Sequence, residues 1–159
     1  MFDNDIYQHY AEAFKRLHVK VTYGVRAPHK AILLLSVIDL IETGVITTNQ
    51  IYYTQQLESQ FRHNWIRYIA FLDGHAARPA TPFFHMSYEP FWTLQINEKC
   101  TRTIKELADE RIYSNPPKMN EAIDYAIIDQ DLFDILQDSF VRAKYRVLLI
   151  SNYFNTELK

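Results

Sequence analysis

Apolar residues recur at helical spacing from the start of the chain. Ile6, Tyr7, Tyr10, Ala11, Phe14 and Leu17 share one face behind a capping Asp3 or Asn4, which predicts an amphipathic helix ending near residue 18, with Lys15 and Arg16 on its other side. The pattern changes at residues 28–43. There Ala31, Ile32, Leu33, Leu34, Leu35, Val37, Ile38, Leu40 and Ile41 cover most of the circumference, leaving a polar stripe of Ser36, Asp39, Glu42 and Thr43. A helix of this kind is buried on nearly every side. Pro28 in its first turn and Gly44 just past its end are the start and stop that helices favour. This helix is the expected spine of the core.

Between these two helices, residues 19–25 are too short and too β-branched to extend a helix, so they form a connector that brings Tyr23 and Gly24 close to the start of the second helix. Gly24 there either lets the backbone approach a ligand or serves as a plain turn residue. Residues 45–47 and 51–53 are short extended pieces. Thr54 then caps a third helix whose inward stripe is Leu57, Phe61, Trp65, Tyr68, Ile69 and Leu72, with Arg62, His63 and Arg67 off the stripe. Residues 73–82 form the one long irregular loop, and residues 83–86 and 91–96 are expected to be two strands of a hairpin joined by a turn at 87–90. A polar helix over 101–111 follows, with a break at Asn115-Pro116-Pro117. Periodicity does not decide between helix and strand for 122–128. Asp129 or Asp131 caps a short helix carrying Leu132, Phe133, Ile135 and Leu136, and Ser139 caps a last helix with Tyr145, Leu148, Leu149 and Tyr153. The expected class is α+β, predominantly helical: a helical bundle around a central buried helix, with a small antiparallel β-hairpin or sheet in a winged-helix-like arrangement, forming a single domain over 1–159.

With 48% hydrophobic and 14% aromatic residues, the chain has ample material for one core. Its single cysteine, Cys100, cannot form an internal disulfide, and no apolar run approaches membrane-spanning length, so a cytoplasmic protein is expected. Three glycines exclude a glycine-rich phosphate cradle, and no nucleotide-binding pattern is present; no cofactor is expected. The six histidines lack the i,i+4 pairing of a zincin, and there is no nucleophile elbow. His63-Asn64 suggests half of an HNH motif, but no histidine follows His85 to complete it. A binding domain is expected here, with neither a metal site nor catalytic residues. The net charge of -2 hides an asymmetry: basic residues gather in the first half, while residues 119–138 carry six carboxylates and no Lys or Arg. A localised basic face on a near-neutral domain suits selective nucleic-acid contact.

The most informative chemistry lies at the start of the buried helix. A helix N-terminus has unpaired N–H groups and partial positive charge, so acidic and capping residues belong there; this one has Arg26, Ala27, His29 and Lys30 instead. An anionic phosphate would supply both missing features. The alternative is that Arg26 and Lys30 simply reach into solvent.

The run Ala27-Pro28-His29-Lys30-Ala31-Ile32-Leu33-Leu34-Leu35, with Ile41-Glu42-Thr43-Gly44, Phe61 to Trp65, Pro82-Phe83-Phe84-His85-Met86, Phe91-Trp92-Thr93-Leu94 and the closing Asp131 to Phe154, resembles the domain that precedes the HNH nuclease domain of many bacterial restriction endonucleases. In type IV, modification-dependent members this is the sulfur-binding domain, which recognises double-stranded DNA carrying a backbone phosphorothioate. The resemblance implies an apolar sulfur cup formed by Pro28 and Ala31, with Ala27 where some members have tyrosine, so that Tyr23 or His85 completes the wall. It further implies DNA contacts from Arg26, His29, Lys30, Gly24, Arg62, Arg67 and Arg78, a following HNH domain in a longer chain, and a role in bacterial defence. A homodimer is allowed for. Sulfur is larger and a poorer hydrogen-bond acceptor than oxygen, so an apolar cup takes it at little cost. A phosphate oxygen there would lose its water at about 1–3 kcal/mol. Two other readings stay open: recognition of unmodified or otherwise modified DNA, and a protein-interaction or dimerisation module.

Overall fold

The computed structural model describes residues 2–69 and 78–154. Leu72, residues 73–77 of the long loop and residues 155–159 lie outside the described residues. Helix α1 (Asn4–Lys15) is capped by Asp3, whose carboxylate accepts from the N–H groups of Asp5 and Ile6, and it buries Tyr7, Tyr10, Ala11 and Phe14. Strands β1 (Val21–Thr22) and β2 (Val25–Arg26) form a small antiparallel hairpin leading into α2 (His29–Glu42). Strand β3 (Gln50–Ile51) precedes α3 (Gln55–Tyr68), whose cap is the Thr54 hydroxyl accepting from the Leu57 N–H. The rest of the chain runs through α4 (Ala80–His85), β4 (Trp92–Ile96), α5 (Ile104–Asp109), α6 (Pro116–Ala122), β5 (Ile123–Ile128), α7 (Gln130–Ile135) and α8 (Ser139–Tyr153). The architecture is α+β and mostly helical.

Helix α2 is the spine that the hydropathy pattern implied. Lys30 through Ile38, Leu40 and Ile41 are all buried, and the helix packs against α3, α4 and α8. It ends at Gly44, which takes a positive φ of 80° that a residue with a Cβ adopts only under strain. Its polar stripe meets protein. Ser36 donates to the Ile32 carbonyl at 2.8 Å and accepts from Asn64 at 3.1 Å; Asp39 accepts from Asn64 and Gln60 of α3 at 2.9 Å each, and from Arg146 of α8 at 2.9 Å. Arg146 also pairs with Glu42 at 3.0 Å, which holds that carboxyl below its usual range. The stripe therefore fastens α2 to both neighbours, because each buried polar group finds a partner.

The second sheet has the order β3-β5-β4, antiparallel throughout, with Ala126 opposite Ile51 on one side and Leu94 on the other. In β4, Trp92 and Leu94 are buried while Thr93 and Gln95 are exposed, the alternation of a half-buried strand. Residues 122–128, undecided by periodicity, are mainly the central strand β5. The expected hairpin of residues 83–86 with 91–96 is not formed, and with it goes the wing. Residues 80–85 are α4, continued by a 3₁₀ turn at Met86–Tyr88. The physical reason lies in the burial: Phe83, Phe84 and Met86 are all buried, as on a helix sunk into the core, whereas a strand with one wet face would alternate. Pro79 and Pro82 fall at the helix start, where a missing N–H is harmless. The helix expected over 101–111 is shortened to α5 by its Thr103–Glu106 capping box.

Because Leu33 is wholly enclosed in the spine, Leu33→Ala should lower unfolding stability by about 3 kcal/mol, read as a shifted urea midpoint.

Candidate nucleic-acid interface

The start of α2 has no side-chain cap and no acidic residue in its first turn. The chain reaches it through the β1–β2 hairpin, whose two turn residues both take positive φ, Tyr23 at 51° and Gly24 at 76°, as a tight two-residue hairpin turn requires. The Ala27 N–H donates to the Lys20 carbonyl at 2.8 Å and closes the hairpin base. Arg26 anchors it: the guanidinium donates to the Lys15 carbonyl at the end of α1 and to the Tyr153 hydroxyl, and lies 4.1 Å from the centre of the Tyr153 ring. Tyr153 also accepts from the Leu17 N–H and donates to the Phe14 carbonyl, so one phenol joins α1, the hairpin and α8.

Lys30 points inward. Its ammonium donates to Glu89 Oε2 at 2.7 Å and to the His18 carbonyl at 2.8 Å, and both charged side chains are almost fully enclosed. Glu89 accepts in addition from the His18 N–H at 2.8 Å, and its other oxygen lies 3.2 Å from the His18 ring. The acid missing from the first turn of α2 is therefore supplied from 59 residues away. Its double hydrogen bonding meets the condition under which a buried carboxylate is tolerated.

Beside this pair is a cavity of about 220 Å³ lined by His18, Val19, Lys20, Ala27, His29, Lys30, Thr81, Pro82 and His85. Val19, Ala27 and Pro82 make an apolar wall. His85 Nδ1 lies 3.0 Å from the Thr81 carbonyl, and since a carbonyl only accepts, this nitrogen carries the proton. Burial pushes His85 below the ordinary histidine value of 6.5, and the charge of Lys30 pushes the same way, against the Thr81 hydrogen bond. The imidazole is neutral at neutral pH, packed edge-on against Tyr113 and stacked over Tyr88. Among the described residues no group of three or more His, Cys, Asp and Glu side chains is placed to hold a metal, and no helix is long and apolar enough to cross a membrane.

The cavity thus brings together Ala27, His29, Lys30 and His85. Pro28 caps α2 without lining it, and Ala31 is fully enclosed beneath. Tyr23 and Gly24 stand at the hairpin tip, away from the wall. Arg26 is engaged by Tyr153, and Arg67 lines a different cavity with Asp39, Glu42 and Arg146, towards the other end of α2. Arg62 on α3 and Arg78 before α4 are exposed. Residue patterns did not single out Glu89 or His18, and Pro82 entered only within a motif that carries the resemblance. A lone acid between Tyr88 and Pro90, in a stretch otherwise dominated by aromatics, was the available signal for the first.

The class defined by this arrangement is a mostly helical α+β domain with a cavity at the N-terminus of its central helix. One solved structure of that fold is the sulfur-binding domain of SprMcrA complexed with phosphorothioated DNA, similar to this chain at a TM-score of 0.68 and 16% identity over 98% of this chain and 90% of that one. At this identity the likeness establishes the fold. No protein-family model matches the chain, and neither does any curated protein.

Lys30→Met should destabilise the fold by about 3 kcal/mol by leaving Glu89 enclosed without its cation, and adding Glu89→Gln should restore most of the loss in denaturant titrations. For His85 the folded state holds the proton less tightly than the unfolded chain. Its contribution to stability is therefore complete above 6.5 and declines as pH falls through that value. Melting temperatures between about pH 7.5 and about pH 5 should fall less for His85→Gln than for the unsubstituted chain.

Proposed function

We propose that this chain is a DNA-binding domain that reads a phosphorothioate in a duplex backbone, as the recognition module of a modification-dependent restriction endonuclease whose HNH nuclease domain lies elsewhere in the longer protein. The observation that carries this reading is the character of the cavity at the start of α2: an apolar wall of Val19, Ala27 and Pro82, a neutral His85, and a cation, Lys30, already matched by Glu89.

A pocket built for an ordinary phosphate presents donors and net positive charge. This one matches Lys30 to Glu89 and offers carbon along its Val19, Ala27 and Pro82 wall, which suits a large, polarizable sulfur and leaves an oxygen poorly hydrated. Pro28 and Ala31 act from behind: Pro28 sets the backbone between Ala27 and His29, and Ala31 is small enough for the first turn to sit low. The helix N–H groups, Lys20, His29 and the exposed His18 serve the remaining phosphate oxygens, while Arg62 and Arg78 are available to flanking phosphates. Arg26 acts through the placement of Ala27, and Arg67, on another face, would meet only DNA that extends along α3. The fold shared with a domain solved on phosphorothioated DNA supports the same assignment.

One short duplex carrying no phosphorothioate, or one of either stereochemistry, should be titrated by fluorescence anisotropy at a single salt concentration. One stereoisomer is expected to bind roughly five- to a hundred-fold more tightly than the plain duplex. Equal affinity for all three would leave a DNA-binding domain and remove the sulfur, and absence of binding would favour a protein-interaction module.

A further inference from the structure

We infer that the β1–β2 hairpin is a groove-reading element, with Tyr23 as the residue that contacts base edges in the major groove; this rests on the duplex-binding reading above. The first ground is strain without internal reward. Tyr23 holds a left-handed φ of 51°, which costs a residue with a Cβ, yet its side chain is 100% exposed. Asn-Gly is the sequence that such a turn favours, and tyrosine is a poor choice for the fold itself. The second ground is the surface around it. Val21 and Val25 are 58% and 42% exposed. Val21 pairs opposite Arg26 and Val25 opposite Thr22, so the two valines lie on opposite faces of the ribbon. An apolar residue on each face does not suit docking against one flat partner. It suits a slot with two walls.

The third ground is position. Lys20 and Ala27, the base of the hairpin, line the cavity proposed to hold the backbone, and the tip is three residues further on, about 10 Å at strand rise. The major groove is about 12 Å wide and admits a two-stranded ribbon, in which a thymine methyl is an apolar target for the tip. The tip is unobstructed: a Cβ built at Gly24 meets nothing within 4 Å. The base is held by Arg26 on Tyr153 and Lys15, so the ribbon projects from a fixed root.

The test is Tyr23→Asn, assayed with the full chain on the duplex the unsubstituted protein prefers. Affinity is expected to fall roughly tenfold or more, as for loss of a buried aromatic contact. The slope of log affinity against log salt should stay unchanged, because the substitution removes no charge, and the melting temperature of the free protein should not fall, because Asn-Gly suits the turn. Two results would overturn the inference: identical titrations for the two proteins, or a loss of the same size on duplexes of different flanking sequence, which would put the tip on the sequence-neutral backbone. If the unsubstituted protein binds no duplex, the DNA-binding reading itself fails and takes this inference with it; that result is distinct from two equal binding curves.

Discussion

Burying an ammonium and a carboxylate together is the constraint around which the interface is built. Lys30 and Glu89 are each almost fully enclosed, 2.7 Å apart. Neither would be stable there alone, since removing an ion from water costs several kcal/mol that only a close, well hydrogen-bonded partner offsets. The pair therefore fixes where three separate segments lie: the first turn of α2, the turn after α4, and the His18 backbone that follows α1. The cavity is the space that these three leave between them. Its apolar wall stands beside Lys30 because that ammonium is already matched by Glu89.

The opposite end of α2 is held by a different kind of contact. Asp39 accepts from three side chains on two helices, and Glu42 shares Arg146 with it. Networks of this kind specify orientation more than they add stability, since each hydrogen bond replaces one made to water. An apolar helix could rotate or slide among apolar neighbours with little change in buried area. One polar stripe, matched to Gln60, Asn64 and Arg146, removes that freedom and so sets which residues face the cavity.

The sequence carried the spine and its ends plainly, because a nearly all-apolar helix between Pro28 and Gly44 has few other outcomes. The family resemblance grouped Ala27 and His85 with Pro28, Ala31 and Tyr23 in one cup; of these five, Ala27 and His85 line the cavity, beside His29 and Lys30. What the sequence could not show was the use each residue is put to. Lys30 looked like a surface cation because its partner is remote in sequence, and Arg26 looked free because its acceptors, the Lys15 carbonyl and Tyr153, become neighbours only when α1 and α8 pack. The hairpin expected at 83–96 failed for a related reason. Apolar density in Phe83-Phe84-His85-Met86 is compatible with a buried strand or a buried helix, and only the packing of β4 on β5 leaves the segment free to coil.

Tyr153 gives the domain a mechanical property. Its hydroxyl gathers the Phe14 carbonyl, the Leu17 N–H and the Arg26 guanidinium at one point, while its backbone belongs to the last turn of α8. The root of the hairpin and the end of α8 are thus joined through a single side chain, with no pliable segment between them. A displacement imposed on the hairpin would be delivered to the end of α8 as a tug on that helix, and a pull on α8 would tilt the hairpin in return.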